Sequence, residues 1–125
     1  MAFTCIAVWA AHHLLTAYRP QLILVSAGFD AHQQDPIGRL NLSAKIYGRL
    51  TELVLGLGTG ANGPPILFSL EGGYEPNALA ECMREVLKVL TAGSRSIRAS
   101  AAETTLGAQL VAKAREIHSD FSVWA

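Results

Sequence analysis

The chain has 125 residues, half of them apolar, which is enough for one small core but short for an enzyme domain built on a parallel sheet. Its 10 basic and 10 acidic residues cancel, so charge favours neither nucleic acid nor an anionic membrane as a partner. The apolar N-terminal run has no preceding basic residue and is interrupted at His12, so it predicts neither an export signal nor a membrane span, and we expect a cytoplasmic protein.

The first predicted element is a helix over residues 3–18, where apolar side chains recur at three- and four-residue spacing until Pro20 stops the pattern. Residues 21–27 read QLILVSA, an apolar run too short for a typical helix. This run predicts a strand at the centre of a parallel sheet, covered on both faces. A long loop rich in Gly, Asp and Pro follows over residues 28–42. Ser43 then precedes the most regular apolar stripe of the chain, which predicts a helix capped by Ser43.

The second half of the chain repeats this alternation of helix and strand. The glycine-rich segment 58–64 ends the helix, and residues 65–70 form another short apolar run. Strand, helix and strand in this order predict a right-handed crossover between parallel strands. A turn at residues 72–74 precedes a helix from Pro76, and a last helix is predicted over residues 103–118. The apolar face of the helix from Pro76, which we expect to be buried, comprises Leu79, Met83, Val86, Leu87 and Leu90.

The two cysteines suggest no metal or disulfide chemistry. Cys5 and Cys82 lie far apart, belong to no CxxC pattern, and both fall within apolar helical stretches. We therefore expect buried, reduced thiols.

The loops that follow the two predicted strands are where chemistry is expected, because open parallel sheets bind ligands beyond the carboxyl ends of their strands. The first loop contains Asp30, and the second contains Gly72, Gly73 and Tyr74. From the residues alone, Asp30 could ligate a metal, act as a base or cap a turn, and capping is the usual role of Asp in a glycine-rich loop. Tyr74 could donate a hydrogen bond to an oxyanion or pack its ring with the hydroxyl in water.

Two segments taken together are more specific than either residue. SAGFDAHQQDPIGRLNLS at 26–43 and SLEGGYEPNAL at 69–79 resemble signature segments of the histone deacetylase and acetylpolyamine amidohydrolase family. The resemblance runs from about residue 20 to residue 90. It implies an α/β fold of the arginase and deacetylase type, with three αβα layers around a parallel sheet. Residues 1–92 would be the C-terminal part of that domain, and residues 93–125 a connector and the C-terminal helix.

The resemblance also implies a cofactor and a reaction. The cofactor is zinc, and the reaction is metal-assisted hydrolysis of the acetyl amide of an acetylated lysine or acetylated amine. Asp30 matches the family's zinc ligand, and Tyr74 matches the tyrosine that hydrogen-bonds the substrate carbonyl. Ile37 matches the position at the rim of the acyl-lysine tunnel, and Gly72 and Gly73 would form the floor beside it.

One departure from the family pattern concerns the other metal ligands. In the family they form an Asp-x-His pair, expected upstream of Pro20, and the proton-shuttling histidine pair lies earlier still. Asp30 is the one ligand that a motif supplies here, whereas a catalytic zinc usually has three protein ligands. We therefore expect the chain to be inactive by itself, and its expected protein partners are another copy of the chain or an N-terminal fragment that complements it.

Other titratable residues receive simpler interpretations. His12 and His13 are neighbours on a predicted helix, where adjacent side chains point about 100° apart. His32 is expected to be a solvated loop residue, and Asp35 is expected to start a turn. His118 is expected to interact with the C-terminal end of the last helix.

Two alternatives to the deacetylase hypothesis stay open. The first is a non-catalytic remnant that binds a partner chain, or a small anion at the Gly72-Gly73 turn before a helix N-terminus. The second is an unrelated flavodoxin-type module whose strand-end loop holds a phosphate. Under every one of these hypotheses, the two visible strands of the chain expressed alone leave sheet edges and apolar patches exposed, which predicts aggregation, self-association or a partly molten state.

Overall fold

A computed structural model describes residues 13–15, 17–38, 40–58, 63–92, 105–117 and 120. Within the described ranges from residue 21 onward, five elements follow one another, and each starts within two residues of its predicted position. They are β1 (Ile23–Ala27), α1 (Ala44–Gly58), β2 (Ile66–Leu70), α2 (Pro76–Ala92) and α3 (Thr105–Ile117). No helix among the described residues is both long and apolar enough to cross a membrane.

The chain divides into two compact units, Gln21–Ile97 and a second formed by Met1–Pro20 with Arg98–Ala125. In the second unit, residues 13–15 and 17–18 are helical. The N–H of Arg19 donates to the carbonyl of Leu15 at 3.0 Å, and Arg19 has a φ of 52°, a left-handed conformation that ends a helix. The predicted stop before Pro20 is thus confirmed.

Some predictions fall outside the described residues. They concern the first part of the N-terminal helix, with Cys5 and His12, the predicted connector beyond Ala92, and His118.

The strands β1 and β2 pair in parallel, with Ile23 opposite Ile66 and Ala27 opposite Leu70. Because α1 lies between them in the sequence, the predicted strand, helix and strand order is confirmed. The carboxyl ends of the two strands are level in the sheet. The loops that follow them therefore leave from the same edge.

One side of the sheet is open to solvent in the described part of the chain. Leu24 is 67% exposed and its partner in the register, Leu67, is 59% exposed. The prediction that β1 is covered on both faces is therefore wrong for this part of the chain, because these side chains have no layer over them. The prediction of exposed apolar surface is confirmed.

The core lies between α1, α2 and the loop after β1. It consists of Phe29, Tyr47, Cys82 and Val86. Cys82 is fully buried, as predicted, and burial, together with the charge of Glu81, raises the pKa of its thiol to about 11.

Two side chains of α2 were expected in this core and are exposed. Leu87 is 49% exposed and Leu90 is 38% exposed, so the prediction of their burial is wrong. The buried stripe of α2 runs through Ala78, Cys82 and Val86 at four-residue spacing. Leu87 lies about 100° around the helix from that stripe, and Leu90 lies one turn beyond its last member, near the helix end.

Candidate functional site

The two strand-end loops are joined by main-chain hydrogen bonds. The N–H of Phe29 donates to the carbonyl of Gly72 at 2.9 Å, and the N–H of Glu71 donates to the carbonyl of Ala27 at 3.1 Å. These bonds extend the parallel pairing past the ends of β1 and β2. The loops therefore run side by side as one surface.

The carboxylate of Asp30 lies on the glycines of this surface. A Cβ atom at Gly72 would lie 2.9 Å from both Cγ and Oδ2 of Asp30, and a Cβ atom at Gly28 would lie 3.3 Å from Oδ1. Gly72 is thus required by the position of the Asp30 carboxylate. Within the described ranges this carboxylate accepts no hydrogen bond, so the turn-capping alternative for Asp30 has no support there.

The main chain of Asp30 is held as closely as its side chain. A Cβ atom at Gly38 would lie 1.5 Å from the carbonyl oxygen of Asp30 and 3.0 Å from the nitrogen of Ala31. Real Cβ atoms do not approach a backbone oxygen to that distance. The loop can therefore fold back over Asp30 only because residue 38 is glycine.

The residue before Asp30 is fixed by a buried tyrosine. The hydroxyl of Tyr47 donates to the carbonyl of Phe29 at 3.1 Å, and the two rings lie 5.0 Å apart between centroids. Burial raises the pKa of Tyr47, and the charges of Cys82, Asp30 and Asp35 act in the same direction. The hydroxyl therefore stays protonated and remains a donor.

Asp35 connects the two loops through its side chain. It is 8% exposed; its Oδ1 accepts from the N–H of Ile37 at 2.9 Å and of Gly38 at 3.2 Å, which confirms the predicted turn. Its Oδ2 accepts from the N–H of Tyr74 at 2.7 Å, a contact that was not predicted. Burial alone would raise the pKa of Asp35, but the N–H groups of Tyr74, Ile37, Gly38 and Glu75 outweigh it and hold the pKa below its ordinary value.

The side chains expected to meet a substrate are open to solvent. Tyr74 is 58% exposed and Ile37 is 61% exposed. Gly73, between Gly72 and Tyr74, has a φ of 128°, and a Cβ atom there would lie 3.2 Å from Cβ of Phe29. A side chain at residue 73 is therefore disfavoured by the backbone conformation, and Phe29 would have to shift to accommodate it.

His32 differs from its expectation. It is 2% exposed, so the prediction of a solvated histidine is wrong. Its main-chain N–H donates to the carbonyl of Phe29 at 3.1 Å, and its ring Nδ1 accepts from the main-chain N–H of Gln34 at 3.2 Å. Its main chain also pairs with that of Leu42 in an isolated β-bridge. The loop closes on itself, which buries the ring. No local feature of the sequence indicates that closure.

The described residues fit one ligand position of a metal site. They contain no group of three or more His, Cys, Asp or Glu that could hold a metal ion. Asp30 offers a carboxylate of a type that zinc binds, and its oxygens are not engaged by hydrogen bonds in the described ranges. The carboxylate of Asp35, by contrast, is occupied by main-chain N–H groups.

A family model described as "Histone deacetylase domain" matches residues 3–90. Type-2 histone deacetylase 2 of Dictyostelium discoideum is 39% identical over 79 residues, covering 61% of this chain and 5% of that protein. Histone deacetylase HDA1 of Saccharomyces cerevisiae is 36% identical over 73 residues, covering 58% and 10%. The uncharacterized protein slr0245 of Synechocystis is 38% identical over 76 residues, covering 61% and 23%. The chain thus spans less than a quarter of the length of each of these relatives.

Solved structures show the same likeness. The HDA15 HD domain superposes with a TM-score of 0.71 at 25% identity, covering 96% of this chain and 31% of that one. The histone deacetylase Clr3 superposes with a TM-score of 0.69 at 22% identity, covering 95% and 20%, and shows the fold alone. The predicted α/β fold with a parallel sheet, present as part of a larger domain, is confirmed.

Proposed function

The chain belongs to the histone deacetylase family, and from this premise we propose that it carries the Asp30 and Tyr74 part of a zinc-dependent amide-hydrolysing site. The family is generally zinc-dependent. The proposed substrate is an acetylated lysine or another acetylated amine. Water adds across the acetamide C–N bond and gives acetate and the free amine.

The observation that supports this proposal is the different use of the two loop aspartates. Asp35 accepts the turn hydrogen bonds, whereas the carboxylate of Asp30 lies against Gly72 and accepts none within the described ranges. A carboxylate at the carboxyl end of a parallel strand that is left without hydrogen bonds is suited to hold a cation.

Each residue then has a defined task. Asp30 holds the metal through its carboxylate, and Tyr74 donates its hydroxyl to the oxyanion that forms as the substrate carbonyl is attacked. When bound, zinc supplies an activated water and polarises the carbonyl. Ile37 contacts the alkyl stem of the substrate, and Gly72 and Gly73 let the main chain approach it.

We further propose that the 125-residue chain needs a second segment to be active, supplied by an N-terminal fragment. A catalytic zinc usually has three protein ligands, and the described residues hold no set of three. The open side of the sheet, with Leu24 and Leu67, supports a protein partner on this unit.

The alternative of a non-catalytic module has one specific weakness. An anion at the Gly72-Gly73 turn would need free N–H groups at the start of α2. There the N–H of Tyr74 already donates to Asp35, and the N–H of Ala78 donates to a carboxylate oxygen of Glu75. An added anion would meet two carboxylates, so anion binding is disfavoured. A protein-binding remnant remains the competing proposal, and it predicts no zinc and no hydrolysis in any assembly.

The test measures bound zinc and turnover of an acetyl-lysine peptide and an acetylpolyamine by the chain in the assembly that contains the remaining ligands. Asp30→Asn is expected to lose both zinc and turnover. Tyr74→Phe is expected to keep zinc and lose turnover by about 10²–10³-fold. The controls are Asp120→Asn, an exposed aspartate, and Tyr18→Phe, an 81% exposed tyrosine. Turnover unchanged in both site variants would reject the proposal.

A further inference from the structure

A single carboxylate holds both loops of the candidate site. Asp35 is nearly buried, and its two oxygens serve different loops: Oδ1 accepts from Ile37 and Gly38, and Oδ2 accepts from the N–H of Tyr74. The two hydrogen bonds to Oδ1 make a local turn. The hydrogen bond from the N–H of Tyr74 to Oδ2 joins residues 39 positions apart in the sequence.

The charge of Asp35 is stabilised by main-chain dipoles. No ion pair to Asp35 occurs within the described ranges, where the ion pair found joins Lys88 and Glu85. One of its partners, the N–H of Tyr74, lies just before the N-terminus of α2, an end of the helix that favours negative charge. A neutral acceptor would gain less from this place, because hydrogen bonds to an ionised acceptor are stronger.

The hydrogen bonds that Asp35 accepts fix the main chain at or beside Asp30 and Tyr74, the two residues with proposed roles in zinc binding and catalysis. On one side, Ile37 lies next to Gly38, whose Cα packs on the carbonyl of Asp30 so closely that a Cβ atom would be 1.5 Å away. On the other side, the bonded N–H belongs to Tyr74 itself. The carboxylate of Asp35 therefore sets where Tyr74 stands relative to the loop that carries Asp30.

We propose that Asp35 is a positioning residue of the site, a carboxylate that fixes the Tyr74 hydroxyl relative to the Asp30 carboxylate by bonding the main chains of both loops. This inference rests on the proposed function for its catalytic consequence. It assigns Asp35 no contact with substrate or metal.

The first measurement does not require activity. Asp35→Asn retains Oδ1 as the acceptor for the N–H groups of Ile37 and Gly38. It replaces Oδ2 by an NH₂ group, which cannot accept the hydrogen bond that the N–H of Tyr74 donates. Amide hydrogen exchange by NMR on the chain is expected to be about tenfold faster at Tyr74. The amides of Ile37 and Gly38, and that of Leu79 in the first turn of α2, should keep their wild-type rates. Unchanged exchange at Tyr74 would overturn the inference.

The second measurement is a double-mutant cycle on kcat in the zinc-loaded assembly. Asp35→Asn is expected to lower kcat by about 10–100-fold with KM and zinc content within about threefold of wild type, because the oxyanion donor is displaced. In the Tyr74→Phe background the same change should have an effect of less than about threefold. Asp120→Asn is the matched control. If the fold-losses in kcat caused by Asp35→Asn and Tyr74→Phe multiply in the double variant, the positioning role is overturned. A general loss of fold would give that result, because it would lower kcat equally with and without the Tyr74 hydroxyl.

The two proposals fail in different ways. If the wild-type assembly hydrolyses no acetylated substrate, the proposed function fails, and the exchange rate at Tyr74 still decides whether Asp35 joins the loops. If the wild type is active and the cycle is additive, the proposed function stands and the positioning role of Asp35 is rejected.

Discussion

The hydroxyl of Tyr47 in α1 donates a hydrogen bond of 3.1 Å to the carbonyl of Phe29, the residue immediately before Asp30. A helix that lies between the strands in sequence thus holds the start of the first strand-end loop. The same carbonyl also accepts from the N–H of His32 at 3.1 Å. The main chain on the N-terminal side of Asp30 is therefore restrained by two donors.

Tyr47→Phe removes one of these donors and keeps the packing of the ring on Phe29. We expect a loss of about 1 kcal/mol in the free energy of unfolding, since the carbonyl of Phe29 keeps its bond from His32. The measurement is urea unfolding at constant pH. Tyr18→Phe, the same change at an 81% exposed residue, should shift stability by less than about 0.5 kcal/mol. Equal midpoints for the two variants would contradict the prediction.

Gly38→Ala places a Cβ atom where the carbonyl oxygen of Asp30 now lies. We expect a cost of about 1–3 kcal/mol, together with weaker zinc binding, because the Asp30–Ala31 peptide must move. Urea unfolding of the chain and zinc titration of the assembly that contains the remaining ligands measure the two effects. Gly56→Ala is the matched control, since a Cβ atom there meets nothing within 4 Å, and in a helix it should stabilise by up to about 1 kcal/mol. A neutral Gly38→Ala would show that the loop does not pack as described.

Alkaline pH should weaken the fold through Cys82. The thiol ionises near 9.0 when unfolded, but burial raises its pKa to about 11 in the folded chain. The folded state thus binds the proton more tightly, so this stabilisation is complete below pH 9 and is lost as pH rises from 9 to 11. Urea midpoints across this range should fall.

Two variants separate the sources of that fall. Cys82→Ala should remove the part between pH 9 and 10, whereas Tyr47→Phe should reduce the part above pH 10, because burial also raises the pKa of Tyr47. A decline between pH 9 and 10 that persists unchanged in Cys82→Ala would contradict the assignment to this thiol.

The chain by itself is expected to associate through the open side of its sheet. Leu24 and Leu67 are direct neighbours in the register and both are mostly exposed. Sedimentation equilibrium should give an average mass above the 13.3 kDa of one chain. Leu24→Thr with Leu67→Thr keeps strand propensity and should lower that mass.

Ile117→Thr provides the control for this experiment. It makes the same type of change at a 66% exposed residue of α3, which belongs to the other compact unit, and should leave the average mass unchanged. A wild-type chain that sediments as a monomer would contradict the prediction.

Local sequence was sufficient to predict the elements and the two loops that the structure brings side by side. Pro76 after the glycine turn predicted the start of α2, and the apolar runs before Gly28 and Glu71 predicted the two strands. The bond from Tyr74 to Asp35 could not be predicted, because it joins positions 39 residues apart and depends on how both loops fold. The exposure of Leu87 depends on whether another element packs against that side of α2. Helical periodicity shows which residues share a face, but not which faces are covered.

The level pairing of Ala27 with Leu70 has a consequence for variation in chain length. Asp30 comes three residues after one strand end and Tyr74 four residues after the other, so each distance is set by a count of peptide units from a fixed register. Inserting or deleting one residue in either short path would turn the side chain of Asp30 or Tyr74 away from its present position while leaving both strands intact. Natural variants of this unit should therefore show insertions and deletions elsewhere, with both paths constant in length even where their residues change.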